Sequence, residues 1–392
     1  MKNLILIVVQ TLLIQSILAQ SITDGNNKFA FNLLQKLANN SSNSFFSPYS
    51  ISTALSMTTG AARTETEKQM LDVLCLKDNS LSTHKAFGEI IQKVEKKEKI
   101  QLNIANSIWM QKGFKFNADY LKLLETAYKA NLKESDFKIN PDNEAKRINK
   151  WVEDKTKQKI KNLIKPGILK NNTRMVLVNA IYFYGDWSKS FNKDNTKEGD
   201  FYTDNNSPVK AKFMNAEYSV PYVKDDVFEV VSVPYSNNEA TMLIFLPKEK
   251  GNFTEAIKKL DFERYNSLNN KFAQETVNLK IPKFTMTAEF ELSKTLTEMG
   301  MPLAFTDLAD FSGMTPEKNL KIDKVIHKAF IDVSEKGTEA AAATAVVVVT
   351  KSVSPDARKV IYFKADHPFI FLIKENSTGQ ILFLGVMNNP AK

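Results

Sequence analysis

Cysteine is almost absent from this chain of 392 residues, which contains only Cys75. Disulfide bonds need pairs of cysteines, so a fold held together by disulfides is excluded. A chain of this length can bury a core large enough for stability, and 43% of its residues are apolar. Because Cys75 lies in an apolar stretch, we expect a small buried side chain rather than a reactive thiol.

Histidine is also scarce, and the sequence patterns of common catalytic and metal sites are missing. The three histidines, His84, His327 and His367, form no zinc-binding pattern. The chain contains no Gly-x-Ser-x-Gly, no Gly-x-Gly-x-x-Gly and no phosphate-binding loop sequence. We therefore predict that the chain is not an enzyme and that it holds no metal ion and no cofactor.

Glycine and proline are sparse as well, with 13 of each scattered along the chain. No stretch rich in these residues or in serine separates one part of the chain from another, and no repeat is visible. Helix-like periodicities concentrate in the first half, where Ser47 is predicted to cap a helix that begins at Pro48 and where another helix is predicted over residues 142–163. Strand-like runs dominate the second half, and two of them are residues 228–234 and 240–247. These features predict one continuous domain of the α+β class.

Long hydrophobic runs are missing too. A membrane-spanning helix needs about 20 apolar residues, and no run in this chain is that long. The one notable run, residues 4–14, follows Lys2 and precedes the small residue Ala19. This pattern is typical of a secretory signal peptide over residues 1–19, with the folded domain at 20–392. We therefore expect a secreted, extracellular protein. Six Asn-x-Ser/Thr sequences are candidate N-glycosylation sites: Asn39, Asn40, Asn171, Asn205, Asn252 and Asn376.

The net charge of +9 would suit an acidic partner. However, the lysines are dispersed, and no basic run alternates with aromatic residues as in nucleic-acid readers. We therefore predict that neither a nucleic acid nor a membrane is a partner.

The most unusual segment follows Glu335. Small residues come first, four consecutive valines follow, and Lys351 comes next with small neighbours. In an extended strand one face would hold only small or β-branched side chains: Thr338, Ala340, Ala342, Thr344, Val346 and Val348. Such a strand could slip between two existing strands, although a permanently buried strand would have the same composition.

Six stretches of the chain, taken together and in order, resemble the serpin family, in particular its secreted inhibitors of the antitrypsin and antithrombin type. The first is the segment just described, which is similar to the reactive-loop hinge of inhibitory serpins. Its residues are Glu335, Gly337, Thr338, Glu339, Ala340, Ala341, Ala342 and Ala343. The other stretches are residues 46–57, 178–187, 325–330, 365–371 and 383–390.

The resemblance implies a single domain with three β-sheets, about nine helices and an exposed reactive-centre loop at about residues 335–366. It also implies a monomeric inhibitor that traps a serine protease. The serine of the protease attacks the bait bond, and an acyl-enzyme forms. The cleaved loop then inserts as a strand into the central sheet and distorts the tethered protease.

The family spacing places the bait bond sixteen residues after Glu335, at Lys351–Ser352. A lysine before the bond favours a protease of trypsin-like specificity. The chain between Lys351 and Pro368 is longer than in relatives with short loops, so cleavage at Arg358 or Lys359 is an alternative.

Further roles also come from the resemblance. Four residues match a buried polar cluster beneath the opening sheet: Ser47, Ser50, Asn179 and His327. Trp187 and the pair Lys283–Glu335 match the region where the loop enters, and contact between the pair would hold the base of the loop. Lys93, Lys96, Lys97 and Lys99 match a part of the chain where some members bind heparin-like glycans. Glu95 and Glu98 dilute that charge, so a solvated helix face is the alternative reading.

Two other functions remain open. One is that of a non-inhibitory serpin, such as a carrier, a storage protein or a chaperone. The other is inhibition of a cysteine protease.

Overall fold

A computed structural model describes residues 2–38, 42–113, 115–130, 132–204, 207–316, 320–338 and 359–391. Within these ranges the chain forms nine α-helices and fifteen strands. The helices are α1 Lys2–Leu37, α2 Pro48–Thr59, α3 Thr64–Leu74, α4 Leu81–Glu95, α5 Ala118–Tyr128, α6 Pro141–Lys155, α7 Phe253–Lys258, α8 Phe262–Asn269 and α9 Ser293–Met299.

The strands alternate with the helices in the first half of the chain and predominate later. They are β1 Ser44–Phe46, β2 Ile100–Gln111, β3 Leu132–Ser135, β4 Met175–Asp186, β5 Lys197–Tyr202, β6 Pro208–Lys224, β7 Phe228–Pro234, β8 Ala240–Pro247, β9 Ala273–Pro282, β10 Phe284–Glu291, β11 Lys324–Val333, β12 Gly337–Thr338, β13 Ile361–Lys364, β14 Phe369–Glu375 and β15 Ile381–Met387. The predicted α+β class is confirmed.

The strands form two hydrogen-bonded sheets among the described residues. The six-stranded sheet has the order β10-β11-β12-β4-β2-β3, and nine strands form the other sheet. The resemblance implied three sheets. Two of them are joined here because β6, which is 17 residues long, pairs with β5 and β9 along most of its length and with β7 at its end.

Helix α2 passes through the centre of the molecule, and all twelve of its residues are buried. Ser47 begins it as the predicted N-cap, since its hydroxyl accepts a hydrogen bond from the backbone N–H of Ser50. Pro48 follows at the first helical position, where its fixed backbone angle suits a helix. The start of α2 lies against the six-stranded sheet, where the hydroxyl of Ser50 donates to Asn106 on β2.

Helix α6 packs against the opposite face of that sheet. Its residues Ile148 and Val152 join Trp109, Val178 and Ile326 in a second apolar cluster, separate from the main core. The periodicity had predicted a helix over residues 142–163, but α6 ends at Lys155. The chain turns there because Lys157 adopts a left-handed conformation, with a φ of 51°.

The two ends of the predicted loop, about residues 335–366, are among the described residues, and both lie in folded structure. Glu335 is buried, and β12 lies within the sheet. At the other end β13 pairs with β9, and Asp366 is buried. Burial and ladder hydrogen bonds therefore restrict any exposed loop to the chain between Thr338 and Ile361.

Candidate functional site

In the six-stranded sheet β4 and β11 separate at one end, and we call this opening between the two strands the fork. These neighbouring strands are parallel and pair directly from Lys324–Val176 to Phe330–Tyr182. Beyond that point β12 lies between them and is antiparallel to both. Gly337 is needed there, because a Cβ atom on it would lie 2.1 Å from the carbonyl oxygen of Gly185.

The chain that enters the fork is anchored at Glu335. The ammonium group of Lys283 donates to one carboxylate oxygen at 2.7 Å, and the hydroxyl of Thr196 donates to the other at 2.9 Å. The backbone N–H of Phe191 donates to the carbonyl oxygen of Glu335 at 2.8 Å. Burial raises the pKa of Glu335, but these hydrogen bonds outweigh it and the pKa is lowered. The carboxylate is therefore charged at neutral pH, and both of its oxygens accept hydrogen bonds.

Two aromatic residues line the fork. The indole N–H of Trp187 donates to the carbonyl oxygen of Ser334 at 2.9 Å, and its ring stacks on Tyr235 with centroids 4.5 Å apart. The hydroxyl of Tyr235 lies 2.7 Å from that of Thr338. Burial raises the pKa of Tyr235, so this hydroxyl keeps its proton. The first residues of the loop are thus held by a buried polar contact.

Where β4 and β11 pair directly, the structure brings together the four predicted polar residues. The hydroxyl of Ser47 donates to the carbonyl oxygen of Leu382 at 2.6 Å, and the amide of Asn179 donates to Ser50 Oγ at 2.6 Å. His327 Nδ1 contacts Asn179 Oδ1, and this contact bridges β11 and β4. All four residues are completely buried. Their hydrogen bonds hold the two strands of the fork together at this level.

The tautomer of His327 follows from its neighbours. Its Nε2 must accept, because the backbone N–H of Ser47 donates to it at 3.0 Å. The proton is therefore on Nδ1 and is donated to Asn179 Oδ1. Burial lowers the pKa of His327 to about 3, so the ring is neutral near pH 7. This arrangement makes His327 a structural hydrogen-bonding residue, and it lies too deep to act as a base on a substrate.

Comparison with known proteins identifies the family. The family model described as Serpin (serine protease inhibitor) matches residues 24–390. The chain belongs to the serpin family. Human Serpin B4 is 36% identical, with 94% of this chain and 100% of that protein covered. Leukocyte elastase inhibitor of Xenopus laevis is 34% identical, with 95% and 100% covered.

Solved serpin structures share the fold. Serpin48 from the insect Tenebrio molitor, described as highly specific, has a TM-score of 0.85 at 30% identity, covering 94% of this chain and 98% of that one. Human thyroxine-binding globulin, solved with its hormone, also has a TM-score of 0.85, at 31% identity with 95% and 99% covered. The predicted serpin fold is confirmed, and the family includes inhibitors as well as proteins with other roles.

These relatives overturn the predicted localisation. Serpin B4, other B-group serpins and leukocyte elastase inhibitor are intracellular and lack signal peptides. The prediction of a secreted, extracellular protein is therefore wrong. In the structure α1 runs from Lys2 to Leu37 without a break at Ala19, the expected cleavage point. No helix among the described residues is both long and apolar enough to cross a membrane.

The prediction of N-glycosylation depended on the prediction of secretion, which is wrong. Asn39, Asn40 and Asn205 lie outside the described residues. Asn171 and Asn252 are exposed. The amide nitrogen of Asn376, where a glycan would attach, donates to Thr241 Oγ1 at 2.9 Å. Glycosylation of these residues stays a prediction.

The predicted bait bond and most of the predicted hinge are not among the described residues. Outside the described residues lie Lys351, Ser352, Arg358, Glu339, Ala340, Ala341, Ala342 and Ala343, whereas Lys359 is described and exposed.

In the predicted glycan site, Lys97 is unsuited to bind a glycan. It is bonded at 2.7 Å to Glu375, whose side chain is completely buried. Lys93, Lys96 and Lys99 are exposed. Among the described residues no cluster of acidic, histidine or cysteine side chains is placed to hold a metal ion.

Three residues of the site were not predicted: Asn106, Thr196 and Tyr235. Asn106 lies on β2 directly opposite Asn179 and accepts hydrogen bonds from Ser50 and Asn179 at 2.8 and 2.6 Å. Its strand contains several other polar residues, so the local sequence does not single it out, and only the strand register connects it to the cluster. Nothing in the local sequence marks Thr196 or Tyr235.

Proposed function

We propose that this serpin inhibits serine proteases of trypsin-like specificity by trapping them in a covalent complex. The fork between β4 and β11 is the observation that carries the proposal. Gly337 and Thr338 already lie in it, as the first residues of an additional strand. A loop that is attached at this point can lengthen the strand once a protease has cut it.

The present pairing defines the register of any further insertion. Thr338 is opposite Val333 on one side and opposite Gly185 on the other. Continued residue by residue, this register would bring Thr344 opposite both His327 and Asn179. Those two residues are already partners across the β11–β4 ladder, so the registers along β11 and along β4 place Thr344 at the same level of the sheet.

Insertion in this register is favourable for the backbone and for the side chains. One parallel ladder would be replaced by two antiparallel ladders, which are slightly more stable per residue. Thr338 faces the main core, so alternation would direct Ala342, Thr344, Val346 and Val348 to the same face. None of these side chains is charged, and each buried valine would contribute about 1.5–3 kcal/mol.

The same register supports Lys351 as the residue before the bait bond. Val348 would lie opposite Met175, the first residue of β4, so Lys351 would follow just beyond the end of the strand. A protease attached to Lys351 would then be pulled against the far end of the sheet. Cleavage after Arg358 would leave seven more residues of tether, or roughly 23 Å of slack. The lysine suits a trypsin-like pocket that contains an acidic residue.

A carrier function is the second candidate, and it is favoured by the similarity to thyroxine-binding globulin. A carrier would use the same fold without needing a loop that inserts after cleavage. The residues from 340 to 350, which are all small or β-branched and uncharged, favour the inhibitor instead.

The deciding experiment mixes the purified protein with trypsin and separates the products on a denaturing gel. An SDS-stable complex and a released peptide that starts at Ser352 would support both the mechanism and the bait bond. Lys351→Ala should abolish the complex, and Arg358→Ala serves as the matched control that should keep it. Cleavage of the wild type without a complex would contradict inhibition of trypsin, and a peptide that starts at Lys359 would move the bond to Arg358. A papain-type enzyme tested in parallel addresses cysteine proteases.

A further inference from the structure

Lysines are dispersed along the whole chain, but the excess of positive over negative charge is concentrated in the connection between α6 and β4. Residues 155–174 contain seven basic and no acidic residues, which are Lys155, Lys157, Lys159, Lys161, Lys165, Lys170 and Arg174. The whole chain has 53 basic and 44 acidic residues. The remaining 372 residues therefore contain 46 basic and 44 acidic ones, so this segment carries seven of the nine net positive charges.

The segment is a fixed surface. Ile160, Leu163 and Leu169 are almost completely buried in the apolar cluster beneath α6, whereas the six lysines are exposed. The side chain of Asn149 binds both backbone groups of Ile164, at 2.7 and 2.9 Å. The ammonium group of Lys328 donates to the carbonyl oxygen of Lys161 at 2.8 Å. The lysines are thus presented outward from an anchored backbone.

Three of these seven basic residues have no carboxylate partner among the described residues. Lys165 is paired with Glu289 at 2.9 Å. For Lys155, Lys161 and Lys170, no ion pair is found within the described part of the chain. A row of unneutralised lysines attracts a counter-charge, and its attraction is strongest for a partner that carries many anionic groups.

We propose that residues 155–174 form a binding strip for a linear sulfated polysaccharide. The carboxylates around the strip favour a single narrow chain. Asp154 lies at its α6 end and is paired with Lys150, and Glu289 on β10 lies at its side. A nucleic-acid duplex carries a second backbone and would need a wider basic surface than this one.

The residue types also favour a polysaccharide over single-stranded nucleic acid. Binding of single strands relies on aromatic side chains on which the bases stack, and residues 155–174 contain no aromatic residue. Lysine is a compact point charge that suits sulfate groups without requiring a particular orientation. The proposed strip is distinct from the exposed lysines at the end of α4, and it does not depend on the proposed protease inhibition.

The test measures binding of a fluorescent, size-defined heparin oligosaccharide by anisotropy at several salt concentrations. The variant combines Lys155→Gln, Lys161→Gln and Lys170→Gln. The matched control combines Lys93→Gln, Lys96→Gln and Lys99→Gln, which removes the same charge from the end of α4. We expect the strip variant to bind at least about tenfold more weakly and its salt slope to fall by about three, and we expect the control to bind nearly as the wild type does.

Four outcomes would overturn the proposal. They are equal losses in both variants, a loss in the control alone, no binding by the wild type at about 0.1 M salt, and equally tight binding of a desulfated oligosaccharide. A mixed-sequence DNA duplex and a single strand are measured with the same proteins. Tighter binding of either one, lost in the strip variant, would assign the surface to nucleic acid instead. Unchanged thermal unfolding of both variants confirms that they are folded.

Discussion

The phenol oxygen of Tyr235 lies 2.7 Å from the hydroxyl oxygen of Thr338, and both residues are completely buried. Thr338 is the last described residue before the loop, and Tyr235 follows directly after β7 in the other sheet. One hydrogen bond therefore connects the beginning of the loop to the nine-stranded sheet, whereas the proposed insertion takes place in the six-stranded sheet.

Replacing Tyr235 with phenylalanine should loosen the base of the loop. The change leaves Thr338 Oγ1 buried without its partner, which costs about 1–3 kcal/mol. We expect the free energy of unfolding in urea to fall by that amount and protease cleavage of the loop to become faster. Tyr362→Phe is the control, because Tyr362 is 74% exposed and its hydroxyl is in water. Equal stability of the two variants would show that the contact contributes nothing.

The contact between Lys283 and Glu335 should make stability depend on acid. The pKa of Glu335 is lowered in the folded protein, so its contribution is present above the unfolded value of about 4.5. That contribution is lost as the pH falls through the folded-state pKa. We expect Glu335→Gln to lower the unfolding temperature at pH 7, and we expect this deficit to disappear at strongly acidic pH.

The control for that experiment is Glu255→Gln. Glu255 pairs with Lys258 at the surface, where such pairs contribute little to stability. Its unfolding temperature should therefore be close to that of the wild type at each pH. A deficit of Glu335→Gln that stays constant down to strongly acidic pH would contradict the assigned ion pair.

The sequence predicted local features of the fork better than their assembly. The bounds of β7 and β8 were predicted correctly, because apolar and β-branched residues predominate in both strands and each strand ends at a proline, Pro234 or Pro247. The cap at Ser47 was also correct, since it depends on neighbouring residues alone. The contact of Lys283 with Glu335 was expected only through the family resemblance. Its two residues are 52 positions apart, and no local pattern connects them.

Other features depend on tertiary contacts that a single sequence does not contain. Lys97 looked like part of a solvated basic helix end, but the completely buried Glu375 holds it. The fork itself depends on the register of β12 between two strands that are distant in the chain. Helix α6 was predicted too long, because the apolar residues Ile160 and Leu163 continue its pattern while belonging to a turn and a connecting segment.

Buried histidine should make this protein sensitive to acid. Burial lowers the pKa of His327 to about 3, whereas the unfolded value is about 6.5. Between these values the unfolded state binds a proton that the folded state does not, so stability rises with pH by about 1.4 kcal/mol per unit. His327→Gln should remove this share of the slope between pH 4 and 6, as measured by urea unfolding.

A second buried histidine provides the comparison. Burial lowers the pKa of His84 to about 4, and its ring nitrogens bind Tyr128 and Asn79 at 2.6 and 2.7 Å. His84→Gln should reduce the slope in the same way, but only above about pH 4. If His327→Gln left the slope unchanged, the folded protein would have to accept a proton at His327.

The proposed register makes its sharpest prediction at Thr344. In the inserted strand this residue would separate His327 from Asn179, whose present contact bridges β11 and β4. The hydroxyl of Thr344 could then bond to the groups that it separates. Thr344→Val removes that hydroxyl while keeping the shape of the side chain. It would leave buried polar atoms unpaired in the inserted state, at a cost of about 1–3 kcal/mol.

That cost should slow insertion relative to hydrolysis of the acyl-enzyme. We therefore expect that more molecules of the Thr344→Val variant than of the wild type are needed to inhibit each trypsin molecule. We also expect more cleaved inhibitor on a denaturing gel. Thr350→Val is the matched control, because residue 350 would lie beyond Met175 at the end of β4, outside the polar cluster. If both variants trapped trypsin as efficiently as the wild type, the register extended from Thr338 would be wrong. If Thr350→Val alone were impaired, the polar cluster would receive a different residue of the loop.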